Sequence, residues 1–420
     1  MQAQGLTAYE HQSLSVGLSP DADLSPREAA LLLQIGRSRL GFCAAGNGTI
    51  RLAQYVGLVN LGDRVLEVLP KLGSSDDAGR CRGTLLRLLR LTQNLPLFTS
   101  GTAGHDLRQD HLLEVFVAAF LEALVSLVRL GLVRRYRHAE GDINTVRGRI
   151  NVPRQAAVHA MRPDMIACRF DDLTIDNSWN QVLRSALHLV GPWANRPRLG
   201  SIYLELVSAL DEVTVRADAL SIHESLALDR QVRHYETALH WAGWILRLLS
   251  PNLRAGTRDA PELLFDMNRL FEAAVTARLR QRAGTRGLRV TAQEPGRHLS
   301  TVEGGRPVFR LRPDIVIRDE STIVAVADTK WTRLQPDASG LLVPPDHHAY
   351  QLNAYAGAFP SEEIVLIYPW HEGHATARTA PFALPQVAGR NPQLHLVCID
   401  VGSDTMDALV SGESLVGTLF

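Results

Sequence analysis

The chain has 420 residues, 45% hydrophobic and 21% charged, with a formal net charge of zero. That length suits two or three domains, and the balanced charge excludes a globally basic nucleic-acid field while leaving a local patch open. The four cysteines (Cys43, Cys81, Cys168, Cys398) lie far apart with no CxxC pair, which argues against a structural zinc site and a disulfide framework.

Residues 1–105 read as a β-rich domain with short helices. LSPREAALLLQIGRSRL predicts a helix with Ser25 as its cap and Pro26 at its first position. GTIRLAQYVGLVNLGDRVLEVLPKL alternates and turns at NLGD, which predicts a hairpin. GRCRGTLLRLLRLT predicts a short basic amphipathic helix. Residues 106–255 read as mainly helical, with apolar periodicity at 111–133, 176–192, 203–211 and 229–250. EGDINTVRGRINVPRQ interrupts them as strand and loop. The most apolar run, HLLEVFVAAFLEALVSLVRLGLV, is broken by Glu114, Glu122 and Arg129, so a buried helix is expected rather than a membrane span. No basic segment leads into an apolar run at the N-terminus, so a signal peptide is not expected and a cytoplasmic location is.

Residues 256–420 change character. APELLFDMNRLFEAAVTARLRQRA predicts a helix. LRVTAQE, VFRLRPDIVIR and TIVAVADTKW predict strands, DHHAYQLNAYAGAF a helix, and EIVLIYPW and LHLVCIDV two more strands. The order α-β-β-β-α-β-β implies a mixed sheet flanked by helices, so the fold class is α/β (α+β).

Chemistry concentrates in RPDIVIRDESTIVAVADTKW. Of 44 basic residues only Lys71 and Lys330 are lysines. Lysine is a compact, titratable point charge where arginine is a permanently charged fork. Lys330 stands two residues after Asp328, so the two share a strand face. A hairpin turning near residue 320 pairs residues whose numbers sum to about 641, which sets Asp314 opposite roughly residue 327. Asp314 and Asp328 then lie at one height on adjacent strands, where both reach one ion. Two convergent carboxylates suit Mg²⁺, a hard cation that prefers oxygen ligands and retains waters. Lys330 beside it would orient water or neutralise charge on phosphate oxygens. A D-x-K pair alone also describes an ordinary strand-end ion pair. The position of Asp314, the scarcity of lysine and the helix face shared by Gln351 and Tyr355 in QLNAY favour a site.

These residues resemble the PD-(D/E)XK nuclease superfamily, with Pro313-Asp314 as the PD, Asp328-Thr329-Lys330 as the DxK, and Gln351 and Tyr355 as the QxxxY of the RecB-like branch. Glu272 in MNRLFEAAV fits the acidic residue of the first core helix. VGLVNLGDRVLEVLPKL, GRINV, CRFDDLTIDNSWNQVL, MNRLFEAAV, LRPDIVI, ADTKW and YQLNAYA together resemble the McrC family over roughly residues 55–356. The resemblance implies a Mg²⁺-dependent endonuclease (Mn²⁺ as the alternative metal) with Asp314, Asp328, Glu272 and the Thr329 carbonyl as ligands and with Lys330, Gln351 and Tyr355 as further catalytic residues. It also implies a partner, a McrB-like AAA+ GTPase ring that reads modified cytosine in double-stranded DNA and is stimulated by this chain through residues 1–105. Residues 106–255 would link the two ends and contact DNA, and 256–420 would form the nuclease domain. The chain has no P-loop of its own.

Lys71 is the expected contact with the GTPase, with a solvated strand-end lysine as the other reading. Arg147 and Arg149 are expected at DNA phosphates, and Asp171-Asp172 in packing or ion pairs. His347 and His348 are expected as surface or capping residues, and His371 and His374 do not match the HExxH frame. Two other functions fit parts of the pattern: a non-catalytic activator or scaffold of an AAA+ GTPase, and a stand-alone RecB-like repair nuclease.

Overall fold

The structure, a computed structural model, describes residues 5–19, 21–73, 77–93, 111–162, 164–194, 197–250, 261–294 and 296–420. The expected boundaries at 105/106 and 255/256 lie outside the described residues. Packing divides the chain into two compact units. One holds Leu58–Val65 and Leu112–Leu263 with Met1–Gly5; the other holds Leu6–Gly57, Leu66–His111 and Leu264–Phe420. Most of the N-terminal segment therefore packs with the C-terminal one.

The first unit is built on the helices Leu112–Leu130, Ser178–Val190, Pro197–Ala209 and Glu236–Leu249. Phe116, Trp241 and Trp244 stack in its core with ring centroids 5.3–5.5 Å apart. Among the described residues, no helix is long and apolar enough to cross a membrane. An antiparallel sheet, Arg135–Ile143, Ile166–Thr174 and Arg149–Ile150, interrupts the helices. It is larger than the single strand-and-loop interruption expected, and Val152–Val158 forms a short helix where loop was expected.

The DNSWNQ motif has a structural explanation here. The Asn177 side chain accepts from Asn180 N–H to cap the 178–190 helix. Asn180 is fully buried and donates to the carbonyls of Ile175 (2.7 Å) and Val133 (3.1 Å), while its Oδ1 accepts from the Tyr235 hydroxyl (2.8 Å). Burying an amide at no net cost requires such saturation.

In the second unit, Pro26–Ser38 forms the expected helix, closed by a capping box between Ser25 and Glu28. Strands Tyr55–Asn60 and Val65–Leu69 lie side by side, joined by the expected NLGD turn, in which Leu61 N–H donates to Arg64 O; of these residues, Leu58–Val65 count with the first unit. Two C-terminal expectations change. The helix begins only at Met267, because Asp266 caps it by accepting from Asn268 and Arg269 N–H, and Glu262–Asp266 is a strand. VFRLRPDIVIR splits into Pro307–Leu311 and Ile315–Asp319, which pair in different sheets. Pro313 lacks the N–H a continuous ladder needs.

The principal sheet runs Arg289–Ala292, Ile315–Asp319, Thr322–Thr329, Glu363–Pro369, Gln393–Ile399, Phe382–Ala383, with Ala408–Ser411 pairing on Gln393–Ile399. Thr322–Thr329, Glu363–Pro369 and Gln393–Ile399 are mutually parallel and the remaining pairs antiparallel. The helix Asp346–Ala358 crosses over between the first two parallel strands. Its Leu352, Tyr355 and Ala356 pack with Val316, Val326, Leu366 and Leu396 of the sheet.

Candidate active site at the end of the central strands

The hairpin register decides whether the two aspartates meet. Near the turn, Asp319 pairs with Thr322 and Arg318 with Ile323, a sum of 641; beyond a bulge at Val324, Ile317 pairs with Ala325 and Ile315 with Ala327, a sum of 642. Continued by one residue, that register sets Asp314 opposite Asp328. A slip of one residue exchanges the faces of a strand, so without the bulge Asp314 would oppose Ala327. The bulge brings both carboxylates to one face, at the open end of the pair.

The contacts there are dense. Asp314 Oδ2 accepts from both the backbone N–H and the hydroxyl of Thr329, each at 2.8 Å. Lys330 Nζ stands 2.6 Å from Asp328 Oδ2 and donates to Gln351 Oε1 at 3.0 Å. Gln351 Nε2 donates to the Tyr355 hydroxyl (2.8 Å) and reaches Asp328 Oδ1 at 3.3 Å. The Tyr355 hydroxyl in turn meets the Arg312 carbonyl at 3.0 Å, tying the helix to the strand entry beside Asp314. One helical turn separates Gln351 from Tyr355, so the helix presents both to the strand end.

Asp328 is 1% exposed. Burial and the neighbouring Asp314 charge push its carboxyl up to about 6, against the opposing pull of Lys330. Among the described residues its buried Oδ2 has no partner but the Lys330 ammonium, 2.6 Å away. A buried oxygen short of donors, facing a second carboxylate, is what a cation would satisfy. Glu272, on the Met267–Gly284 helix, is half-buried, and burial and then the Asp314 charge raise its carboxyl. Gln293 Nε2 holds it at 2.7 Å, and Gln293 N–H donates to Asp314 O at 2.8 Å. Gln293 adopts a φ of 48°, a left-handed conformation that costs on the order of 1–3 kcal/mol for such a residue. That strain sits between Glu272 and Asp314. Among the described residues, no three His, Cys, Asp or Glu side chains gather as a metal centre. Two aspartates with backbone oxygen and waters match the sparse protein ligation typical of Mg²⁺.

The structure thus brings together Asp314, Asp328, Thr329, Lys330, Gln351 and Tyr355, with Glu272 near enough to feel both aspartate charges. The other expected residues have different surroundings. Lys71 has an exposed side chain, and its backbone N–H donates to Glu10, whose Oε1 also accepts from Trp331 Nε1. Arg147 bonds Asp172 at 2.9 Å and lies 4.5 Å over the Phe170 ring. Asp171 contacts the His138 ring and Asp172 pairs with Arg147, so both members of the acidic pair are engaged locally. Arg149 is exposed, opposite Arg169.

His348 corrects an expectation. It is 8% exposed, not a surface residue, and its Nδ1 meets the Tyr368 hydroxyl at 2.8 Å. Burial, with Lys330 and His347, pushes it down to about 4. Sequence reasoning missed His348, Tyr368 and Gln293. The available signal was spacing: His348, Gln351 and Tyr355 follow i, i+3, i+7 on one helix face. Nothing in the sequence marked Gln293.

A mixed sheet with two carboxylates, a lysine and a Gln–Tyr helix face at one strand end defines a class: an α/β protein with an acidic site suited to a hard cation. The chain belongs to the McrBC family, its residues 50–369 matching the McrBC 5-methylcytosine restriction system component. Among solved structures, it is similar to a chain in the refined half-complex from the tetradecameric assembly of Thermococcus gammatolerans McrB AAA+ hexamers with bound McrC. That similarity has 16% identity and a TM-score of 0.69, covering 99% of this chain and 98% of that one. A chain in the cryo-EM structure of the Thermococcus gammatolerans McrBC complex is also similar, at 18% identity and a TM-score of 0.49, covering 66% of this chain and 88% of that one. At 16% identity the first of these likenesses shows the fold. No curated protein matches the sequence.

Proposed function

We propose that this chain is the DNA endonuclease subunit of a McrBC-type, GTP-dependent restriction complex, and that it also stimulates the GTPase of a McrB-like AAA+ ring. The observation that carries the reading is the register-matched pair Asp314 and Asp328 with Lys330 Nζ 2.6 Å from the second carboxylate. Asp314, Asp328 and the Thr329 carbonyl would hold Mg²⁺, or Mn²⁺ in its place, with Glu272 as the third acidic group. Bound there, the ion would supply Lewis-acid polarisation of the scissile phosphate.

The chain's own residues orient the reaction. Lys330 Nζ has three N–H donors. Asp328 Oδ2 and Gln351 Oε1 engage two, which leaves one for a phosphate oxygen or the attacking water. The short chain from Lys330 through Gln351 to Tyr355 fixes where that donor points. Thr329 donates twice to Asp314 Oδ2 and so holds that carboxylate at the strand end. The membership of a 5-methylcytosine restriction family supports DNA as substrate, and the reading assigns recognition of the modified base to the partner.

The test mixes the chain with a McrB-like partner, GTP, Mg²⁺ and methylated or unmethylated duplex DNA, and compares wild type with Asp328→Ala and Lys330→Ala. Partner-dependent cutting lost in both variants is expected. Cutting by either variant at the wild-type rate overturns the assignment. GTP stimulation without any cutting would favour a scaffold, and strong cutting without partner a stand-alone repair nuclease.

A further inference from the structure

One face of the Met267–Gly284 helix is unlike the rest. Arg269, Glu272, Ala273, Thr276, Ala277 and Arg280 follow i, i+3, i+4, i+7, i+8, i+11 and line a cleft of about 540 Å³. Gln293 and Arg312 line it from the strands, and Leu91 and Thr92 from the Ala78–Gln93 helix. The cleft therefore reaches the candidate site through Glu272, Gln293 and Arg312.

Three features define what it would take. Among the described residues its charge is basic, with Arg269, Arg280 and Arg312 against Glu272, and none of the three arginines forms an ion pair with another described residue. Arg280 has only a long contact to Val290 O (3.5 Å), and Arg312 touches Gln293 Oε1. Its floor is small: Ala273 and Ala277 let a chain approach the helix closely. Thr276, 4% exposed, keeps its hydroxyl without a partner at the same floor. Among the described residues no aromatic side chain lines the cleft, so none of them stacks on a base there. Arg269 and Arg280 stand about 16 Å apart along the helix axis at 1.5 Å per residue, a span of several phosphates.

We propose that this cleft is a backbone track: Arg269, Arg280 and Arg312 hold successive phosphates of one nucleic-acid strand and lead it to Glu272 and Asp314. The track rests on the nuclease reading for its purpose but not for its binding chemistry. Arginine forks match phosphate oxygens in pairs. A track without base contacts binds independently of sequence and weakens with salt.

The experiment measures fluorescence anisotropy of labelled single-stranded and duplex oligonucleotides bound to the full chain in Ca²⁺ without Mg²⁺, over a salt series. Arg269→Ala and Arg280→Ala are each expected to weaken binding about 10-fold at low salt and to reduce the salt slope by about 1. Ala277→Glu, which places a carboxylate on the floor, is expected to weaken it further. Arg37→Ala, in the exposed last turn of the Pro26–Ser38 helix, is expected to bind as wild type. The track is overturned if wild type does not bind, if the cleft variants bind as wild type, or if Arg37→Ala weakens binding equally. The two proposals separate cleanly. Binding lost in the cleft variants with no cutting under any condition keeps the track and removes the nuclease. Cutting that needs Asp328 but is untouched by Arg269→Ala and Arg280→Ala keeps the nuclease and removes the track.

Discussion

Replacing Asp328 by Asn isolates the cost of the buried charge. The amide keeps the shape of the side chain and an oxygen for Gln351, but cannot ionise. In the folded chain the Asp328 carboxyl rises from 3.8 to about 6, with burial the largest cause and Asp314 the next. Roughly two units correspond to about 3 kcal/mol against the charged form at neutral pH. The opposing pull of Lys330 is already contained in that figure. In EDTA at pH 8, Asp328→Asn is thus expected to be more stable than wild type by up to about 3 kcal/mol, raising the melting midpoint by a few °C. The pH dependence has a definite sign. The folded chain holds this proton more tightly than the unfolded chain, so the contribution of this one group to stability is fully present below about pH 3.8 and is lost as pH rises through about 6. Asp328→Asn lacks that decline. Added Mg²⁺ is expected to restore wild type, by binding the native state, and to leave the variant unmoved. Differential scanning fluorimetry at pH 5 and pH 8, with EDTA or Mg²⁺, reads all four conditions. A variant less stable than wild type in EDTA at pH 8, or equal Mg²⁺ stabilisation of both, would refute the reasoning.

Lys330→Arg is expected to lose about 100-fold in cutting rate, as Lys330→Ala does, because the planar fork cannot occupy the point between Asp328 and Gln351; recovery of most activity in single-turnover assays would contradict this. Tyr355→Phe removes the hydroxyl that accepts from Gln351 and meets the Arg312 carbonyl. It is expected to slow turnover about 10-fold while DNA affinity stays constant, at about 1 kcal/mol for the lost bonds. Gly148 has a φ of 69°, and a Cβ there would lie 2.3 Å from Arg169 O. Gly148→Ala is expected to cost at least about 1 kcal/mol in urea unfolding, making the glycine of the RGRI segment a structural requirement. Lys71→Ala is expected to reduce stimulated GTP turnover by the partner; unchanged turnover and complex formation would leave Lys71 a solvated side chain.

Local signals carried much of this fold. The Ser25-Pro26 helix start and the NLGD turn are written in neighbouring residues and formed where expected, and so did the Thr322–Thr329 strand and the Asp346–Ala358 helix, whereas VFRLRPDIVIR split in two. What escaped depends on distant partners. Asp266 reads as an interior helix residue until its side chain is seen accepting two N–H groups. The sheet of 135–143, 149–150 and 166–174 joins segments over 20 residues apart, and its strands are mostly half-exposed, so no apolar alternation announces them. In the site, Asp314, Asp328 and Lys330 were legible because chemistry and strand alternation coincide. The bulge at Val324 was not, since an extra residue in a β-branched run leaves no mark, yet it sets the shared face of the aspartates. Gln293 was invisible for the same reason: its role comes from a left-handed backbone between two elements.

The central claim is that Asp314 and Asp328 share one divalent cation. Crystals of the chain grown with Mn²⁺ and read by anomalous scattering test it most directly. The account predicts a single peak bridging the two carboxylates at about 2.1 Å from their oxygens, abolished in Asp314→Asn. An empty strand end under saturating Mn²⁺, or an ion held elsewhere with Asp328 still paired only to Lys330, would contradict it.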